Sequence, residues 1–258
     1  MILSYSVCSV PVLPLRKEPN HRAEQVSQLV YGEKAEILEQ VGEEWVRVRA
    51  EWDNYDGWCR LGQLSLVSKK EYAKEAKFLT ASHSGRLILG EAEMWLPMGA
   101  DIIRSKSVVG SAGAKFKGKK LEIKKLELTG AGVCAAALQY VHAPYLWGGK
   151  TVMGIDCSGL TQMAFRMCNM AIPRDASFQA MEGEIVDFLQ NARPGDLAFF
   201  DNAEGKINHV GILLDNENIV HATDTSGRVV KDRIDQGGII SRRLKKRTHN
   251  LRVVKRYI

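Results

Sequence analysis

No two of the five cysteines (Cys8, Cys59, Cys134, Cys157, Cys168) form a Cys-x-x-Cys pair, and none has zinc-ligand spacing. An odd, scattered set excludes a disulfide-stapled scaffold. It fits free thiols in a reducing compartment, so a cytoplasmic location is expected, with a periplasmic or exported one as the alternative. Apolar runs are short as well: none approaches the roughly 20 residues that span a bilayer, and no membrane partner is expected. The opening stretch from Met1 to Leu15 is apolar but has neither a basic leader region nor a small-residue cleavage site, and it reads as strand. Acidic residues are missing from the last 18 positions, which hold Arg242, Arg243, Lys245, Lys246, Arg247, Arg252, Lys255 and Arg256. The formal net charge of +6 is therefore a local property of the tail. Its last part, Leu251 to Ile258, alternates like a closing strand with a solvated charged face and has a single aromatic, Tyr257, rather than a row of stacking positions, so no nucleic-acid partner is expected.

What remains is an ordinary globular composition, 45% hydrophobic and 26% charged, in a chain of 258 residues that can hold more than one core. Residues 1–66 carry short strand-like runs (Gln25 to Tyr31, Lys34 to Gln40, Glu44 to Arg49, Gly57 to Leu61) broken by Gly32, Gly42 and the turn Asp53 to Gly57. With Gly32-Glu33, Glu44-Trp45 and Gly57-Trp58 at these places, the segment resembles a bacterial SH3-like domain. Ser68 is a candidate cap for a connecting helix reaching Lys77. Strand-like Arg86 to Leu89, Glu93 to Leu96 and Asp101 to Ile103, with a turn over Ser111 to Lys115, suggest a second, degenerate SH3-like domain in residues 67–125. From residue 126 on, helical periodicity over Thr129 to Val141 opens a third region, 126–258, with Pro144 beyond its end.

Chemistry concentrates in that region. Gly148, Gly149 and Gly154 make a loop, and Asp156-Cys157-Ser158 opens a segment with apolar Leu160, Met163, Ala164 and Met167 at helical spacing. This puts a thiol at a helix N-terminus, where unpaired N–H groups and the macrodipole favour thiolate. Two histidines follow in strand-like runs, His209 in Ile207 to Leu214 and His221 in Ile219 to Thr223, separated by the turn-prone Asp215-Asn216-Glu217-Asn218. If the connection has an odd number of loop residues, such as 215 to 217, both histidines fall on one face, diagonally adjacent. A nucleophile, a base and an orienting group then form a Cys-His-His triad. His142 reads as a helix-end residue, and His21, His83 and His249 receive no catalytic role.

The ordered blocks Tyr145 to Gly149, Gly154 to Leu160, Pro173-Arg174-Asp175, Pro194 to Leu197, His209 to Ile212 and His221-Ala222 resemble the NlpC-type cell-wall peptidase family, especially its γ-D-glutamyl-L-diamino acid endopeptidases. The resemblance implies a multidomain chain, two small all-β SH3-like barrels followed by an α+β papain-like cysteine peptidase domain. It also implies Cys157, His209 and His221 as catalytic residues, no cofactor and no metal. Tyr145 and Trp147 would wall the cleft, the Tyr145 hydroxyl joining the Cys157 N–H at the oxyanion. Asp156 and Ser158 would meet substrate. Asp175 and Ser177, with Glu24 and Tyr55 from the first domain, would hold a free amino terminus. The chain departs from some relatives at Ala176, where they carry serine. The implied partners are peptidoglycan-derived peptides, and the implied reaction is hydrolysis of the γ-D-glutamyl bond to a diamino acid. Three other readings use the same residues: an amidase or acyltransferase with the same triad, a wall-peptide binder without turnover, and a metal site at Cys157, His209 and His221.

Overall fold

The computed structural model describes residues 2–103, 108 and 113–258, which divide into two compact units. The first comprises residues 1–126 together with 150–152. Its larger sheet contains β1 (Ser4–Cys8), β2 (Val12–Arg16), β3 (Gln25–Val30), β4 (Lys34–Val41), β5 (Trp45–Ala50), β6 (Asp56–Arg60) and β7 (Leu64–Val67). The order is β3-β2-β6-β5-β4-β1-β7, with antiparallel neighbours throughout. Period-2 alternation sends Leu13, Leu15, Val46 and Val48 to one face, where they meet Cys8, Leu29, Ile37 and Cys59 in a common core.

The expected connecting helix shrinks to one turn, α1 (Lys69–Tyr72), closed by a Ser68–Glu71 capping box. It buries none of its residues, so nothing extends the helix beyond the turn its cap can hold. Then come β8 (Phe78–Thr80), β9 (Gly85–Leu89), β10 (Ala92–Leu96), β11 (Lys115–Lys117) and β12 (Lys120–Glu122), in a three-stranded sheet β10-β9-β11 and a pair β12-β8. Asp101 makes only an isolated bridge to Leu79 where a strand over 101–103 was expected. Of the turn expected over 111–115, positions 111 and 112 lie outside the described residues. The two-residue strand β13 (Lys150–Thr151) also belongs to this unit. The Lys150 backbone N–H donates to Gln28 Oε1 (2.8 Å) and its ammonium to Glu33 Oε1 (3.4 Å), a fully buried ion pair.

The second unit comprises residues 127–149 and 153–258. It contains α2 (Gly130–Leu138), β14 (Gly154–Ile155), α3 (Cys157–Arg166), α4 (Ala176–Gln179), β15 (Glu184–Val186), β16 (Leu197–Asp201), β17 (Ile207–Leu213), β18 (Asn218–Thr223), β19 (Arg228–Asp235), β20 (Gly238–Ile240) and β21 (Arg247–Arg256). Thr129 caps α2, which stops at Leu138 before the left-handed His142 (φ 74°). The sheet runs β15-β21-β16-β17-β18-β19-β20, and a further β20–β21 pairing closes six strands on themselves. Ala198, Phe200, Leu213, Ile219, Ile234, Ile239 and Val254 fill the enclosed core. Helix α3, buried at every position, packs on β17 and β18. Among the described residues no helix is long and apolar enough to cross a membrane.

Candidate active site

Helix α3 starts where it does because Asp156 caps it. Its Oδ1 accepts the Gly159 N–H (2.7 Å) and its Oδ2 the Gly148 N–H (2.7 Å), tying the glycine loop to the first helical turn. Gly148 takes a left-handed φ of 74° to present that N–H. Arg174 completes the knot, donating to Asp156 Oδ1 (3.1 Å) and Oδ2 (2.5 Å) and to Ser158 Oγ (2.7 Å). Asp156 and Ser158 were expected to contact substrate. Here both side chains are buried and engaged with Arg174 at the helix start.

Cys157 is the first residue of α3 and is 6% exposed. Burial, then the Asp156 carboxylate, pushes its thiol up to about 12, against the pull of the Val210 and Ser158 amides and the Arg174 guanidinium. The thiolate-favouring effect of the helix N-terminus is thus outweighed in this structure. The Val210 amide belongs to the residue after His209, so the thiol lies against β17 next to the proposed base. Among the described residues no hydrogen bond joins Cys157 Sγ to an imidazole.

The hairpin geometry follows the odd-loop expectation. The Leu214 N–H bonds Asn218 O (2.9 Å), leaving residues 215–217 as the loop, and Leu213 pairs with Ile219. His209 and His221 therefore share a face, with His209 Nε2 2.8 Å from His221 Nδ1. Beyond His221, its Nε2 lies 3.3 Å from Asp232 Oδ2. The His249 ring stacks on His209, centroids 4.1 Å apart and planes 21° off parallel, and Phe200 flanks both rings. Burial, then His221 and His249, holds His209 well below its ordinary value. Burial, then His221, lowers His249 to about 4, with Asp224 and Asp232 opposing. Both rings are neutral bases at neutral pH.

His249, excluded by the sequence blocks, belongs to this cluster. Asp232 and the buried Arg174 were also given no role. The signals were present: Asp232 shares strand parity with buried Ile234, and Arg174 sits in the Pro-Arg-Asp block. Nitrogens of His209, His221 and His249 come within 4.8 Å of one another, a ligand set of the right type for a transition ion. In this structure His209 Nε2 is engaged with His221 Nδ1 (2.8 Å), and the His209 and His249 rings stack face to face.

Around the thiol, burial raises the Tyr145 hydroxyl above its ordinary value, with the Cys157 and Asp156 charges adding to it. Trp147 is 57% exposed. Asp175 occupies the N-cap of α4, but its side chain makes no cap hydrogen bond; Ser177 is exposed on the same turn. Glu24 and Tyr55 belong to the first unit. Glu24 is exposed, its carboxylate 3.8 Å from Lys17 Nζ. Tyr55 is half-buried in the β5–β6 turn, where its N–H bonds Asp53 Oδ1 (3.1 Å).

A buried thiol at a capped helix start, packed on a sheet that carries an imidazole pair, has the parts of a thiol peptidase. Comparison with known proteins agrees. Residues 142–248 match the NlpC/P60 family, and residues 15–64 the bacterial dipeptidyl-peptidase SH3 domain. The γ-D-glutamyl-L-lysine dipeptidyl-peptidase of Bacillus subtilis is 30% identical over 216 residues, 77% of this chain and 72% of that protein. Dipeptidyl-peptidase 6 of Lysinibacillus sphaericus is 26% identical over 252 residues, 86% and 89% of the two chains. An NlpC/P60 family protein from Bacillus cereus shares the fold at a TM-score of 0.81, with 18% identity over 98% of this chain and 99% of that one. The chain belongs to the NlpC/P60 family, as a cysteine-type peptidase with an N-terminal SH3-like domain.

Proposed function

We propose that this peptidase hydrolyses the bond between γ-D-glutamate and the diamino acid of peptidoglycan stem peptides carrying a free N-terminal L-Ala. The observation that carries the catalytic reading is the His209–His221 hydrogen bond on the sheet that receives the Cys157 helix. The substrate reading rests on the two relatives named as dipeptidyl-peptidases, since an enzyme of that kind removes a dipeptide from a free amino terminus. In this reading residues 67–125 are a second, degenerate SH3-like domain and 126–258 a papain-like α+β domain.

Cys157 Sγ attacks the γ-carbonyl carbon as its proton passes to His209, whose own partner His221 keeps the ring oriented. The Tyr145 hydroxyl and the Cys157 N–H hold the oxyanion. Collapse breaks the C–N bond, and His209 returns its proton to the leaving amine. Water, deprotonated by His209, then opens the thioester and restores the thiol, releasing the dipeptide acid. Trp147 walls the cleft, while Asp175 and Ser177 recognise the substrate's ammonium end. All five cysteines are free and buried, which supports action in a reducing compartment on released muropeptides.

The test compares L-Ala-γ-D-Glu-meso-diaminopimelate with its N-acetylated form by mass spectrometry. Release of diaminopimelate is expected from the unblocked peptide only. Equal cleavage of both would remove the ammonium-binding roles of Asp175 and Ser177.

A further inference from the structure

His209, His221 and Asp232 lie on one face of the closed sheet. Leu213 pairs with Ile219, and Ile219 with Asp232, so positions 209, 221 and 232 share parity across β17, β18 and β19. They form an unbroken line: His209 Nε2 to His221 Nδ1 at 2.8 Å, then His221 Nε2 to Asp232 Oδ2 at 3.3 Å. The second contact is sealed from water, with side-chain exposures of 0% for His221 and 4% for Asp232. Asp232 is itself fixed, because its other oxygen accepts the Arg242 N–H at 2.7 Å.

We infer that Asp232 is a positioning residue that sets the tautomers of both histidines and so leaves His209 Nδ1 bare to receive the Cys157 proton. The inference rests on the peptidase reading for its consequence, but its chemistry is local. With one hydrogen on each imidazole, that of His221 sits on Nε2 facing Asp232, because a carboxylate only accepts. His221 Nδ1 then has a lone pair and no hydrogen, and His209 Nε2 must donate to it. One hydrogen remains for His209, already spent on Nε2, so Nδ1 is an acceptor. Burial alone would raise the Asp232 carboxyl. The hydrogen bonds from His221 and from the Arg242 amide overcome it and hold the group below its ordinary value, ionised wherever the enzyme works. The one group that cannot donate therefore stands at the end of the line where the direction of every bond is decided.

Asp232→Asn inverts this logic with little change of shape. The Arg242 N–H keeps the amide oxygen, which turns the amide NH2 toward His221 Nε2. That nitrogen must then accept, His221 Nδ1 must donate, and His209 Nδ1 acquires the hydrogen. Such a tautomer error in a triad lowers kcat by about 10,000-fold. Turnover of the unblocked tripeptide is expected to fall steeply in kcat with KM nearly unchanged, and Asp232→Ala, which imposes no wrong tautomer, is expected to retain more activity than Asp232→Asn. A purely structural Asp232 gives the reverse order, since alanine abandons the Arg242 amide and leaves a void. The independent readout is the imidazole ¹⁵N spectrum of the labelled full chain: His209 Nδ1 unprotonated in wild type and protonated in Asp232→Asn. A protonated Nδ1 in wild type, or an Asn variant with wild-type kcat, overturns the inference. Should Asp232→Asn fail to fold, the wild-type spectrum still decides. Loss of the peptidase reading shows itself differently, as equal cleavage by wild type and Cys157→Ala.

Discussion

Cys157 meets its base as a neutral thiol beside a neutral imidazole. The thiol is held at about 12, by burial first and by Asp156 second, while burial keeps His209 and His249 from taking up protons. Proton transfer then accompanies attack and does not precede it. The sign of the pH effect follows. A raised thiol pKa means that the thiolate fraction grows about tenfold per pH unit throughout the range below it. Alkylation of Cys157 in the free enzyme by iodoacetamide, followed by peptide mass spectrometry, is expected to be slow at pH 7 and to climb at that slope to at least pH 10. A plateau below pH 8 would contradict a thiol raised by burial. At this scale the placement of Cys157 at a helix start and of His209 and His221 on one face was legible in the sequence. The sequence left His249 without a role, because the neighbours of that ring are assembled by strands far apart in the chain. It gave no sign that Arg174 holds the Asp156 and Ser158 side chains, because a capping carboxylate and a substrate-binding one have the same sequence signature.

Among the elements, α3 and its loop behave as one piece. Gly159 lies where a Cβ would come within 2.2 Å of Gly149 O, so the glycine loop rests directly on the first helical turn. Gly159→Ala must push the loop away or tilt the helix. A loss of about 1–3 kcal/mol in stability is expected, read by chemical denaturation, together with a larger loss of turnover than of peptide affinity; wild-type stability and turnover would show that the contact is slack. The helix and the β17–β18 hairpin were legible because each is a local pattern: apolar spacing behind a capping aspartate, and a loop whose parity decides the face. Helix α1 fell short of Lys77 because a charged sequence with no buried face can be capped but not prolonged. Closure of the sheet through β20 and β21 left no local trace. It depends on the ten residues of β21 serving β20 with the first part and β15 with the last, which no periodicity encodes.

For the whole molecule, part of the basic tail serves to fasten the last strand. Arg247 grips Asp235 with two bonds (2.6 and 2.9 Å), and Arg256 grips Asp196 likewise (2.9 and 2.6 Å), so two of its charges fasten the last strand. The order of the parts, an SH3-like domain followed by an NlpC/P60 domain, was readable because each domain carries its own short blocks. The central claim is that Cys157 cuts the γ-D-glutamyl bond, and release of free diaminopimelate from L-Ala-γ-D-Glu-meso-diaminopimelate tests it most directly. Wild type is expected to release the diamino acid and Cys157→Ala to release none at equal folded concentration. Equal release by both, or none by the wild type, would contradict it.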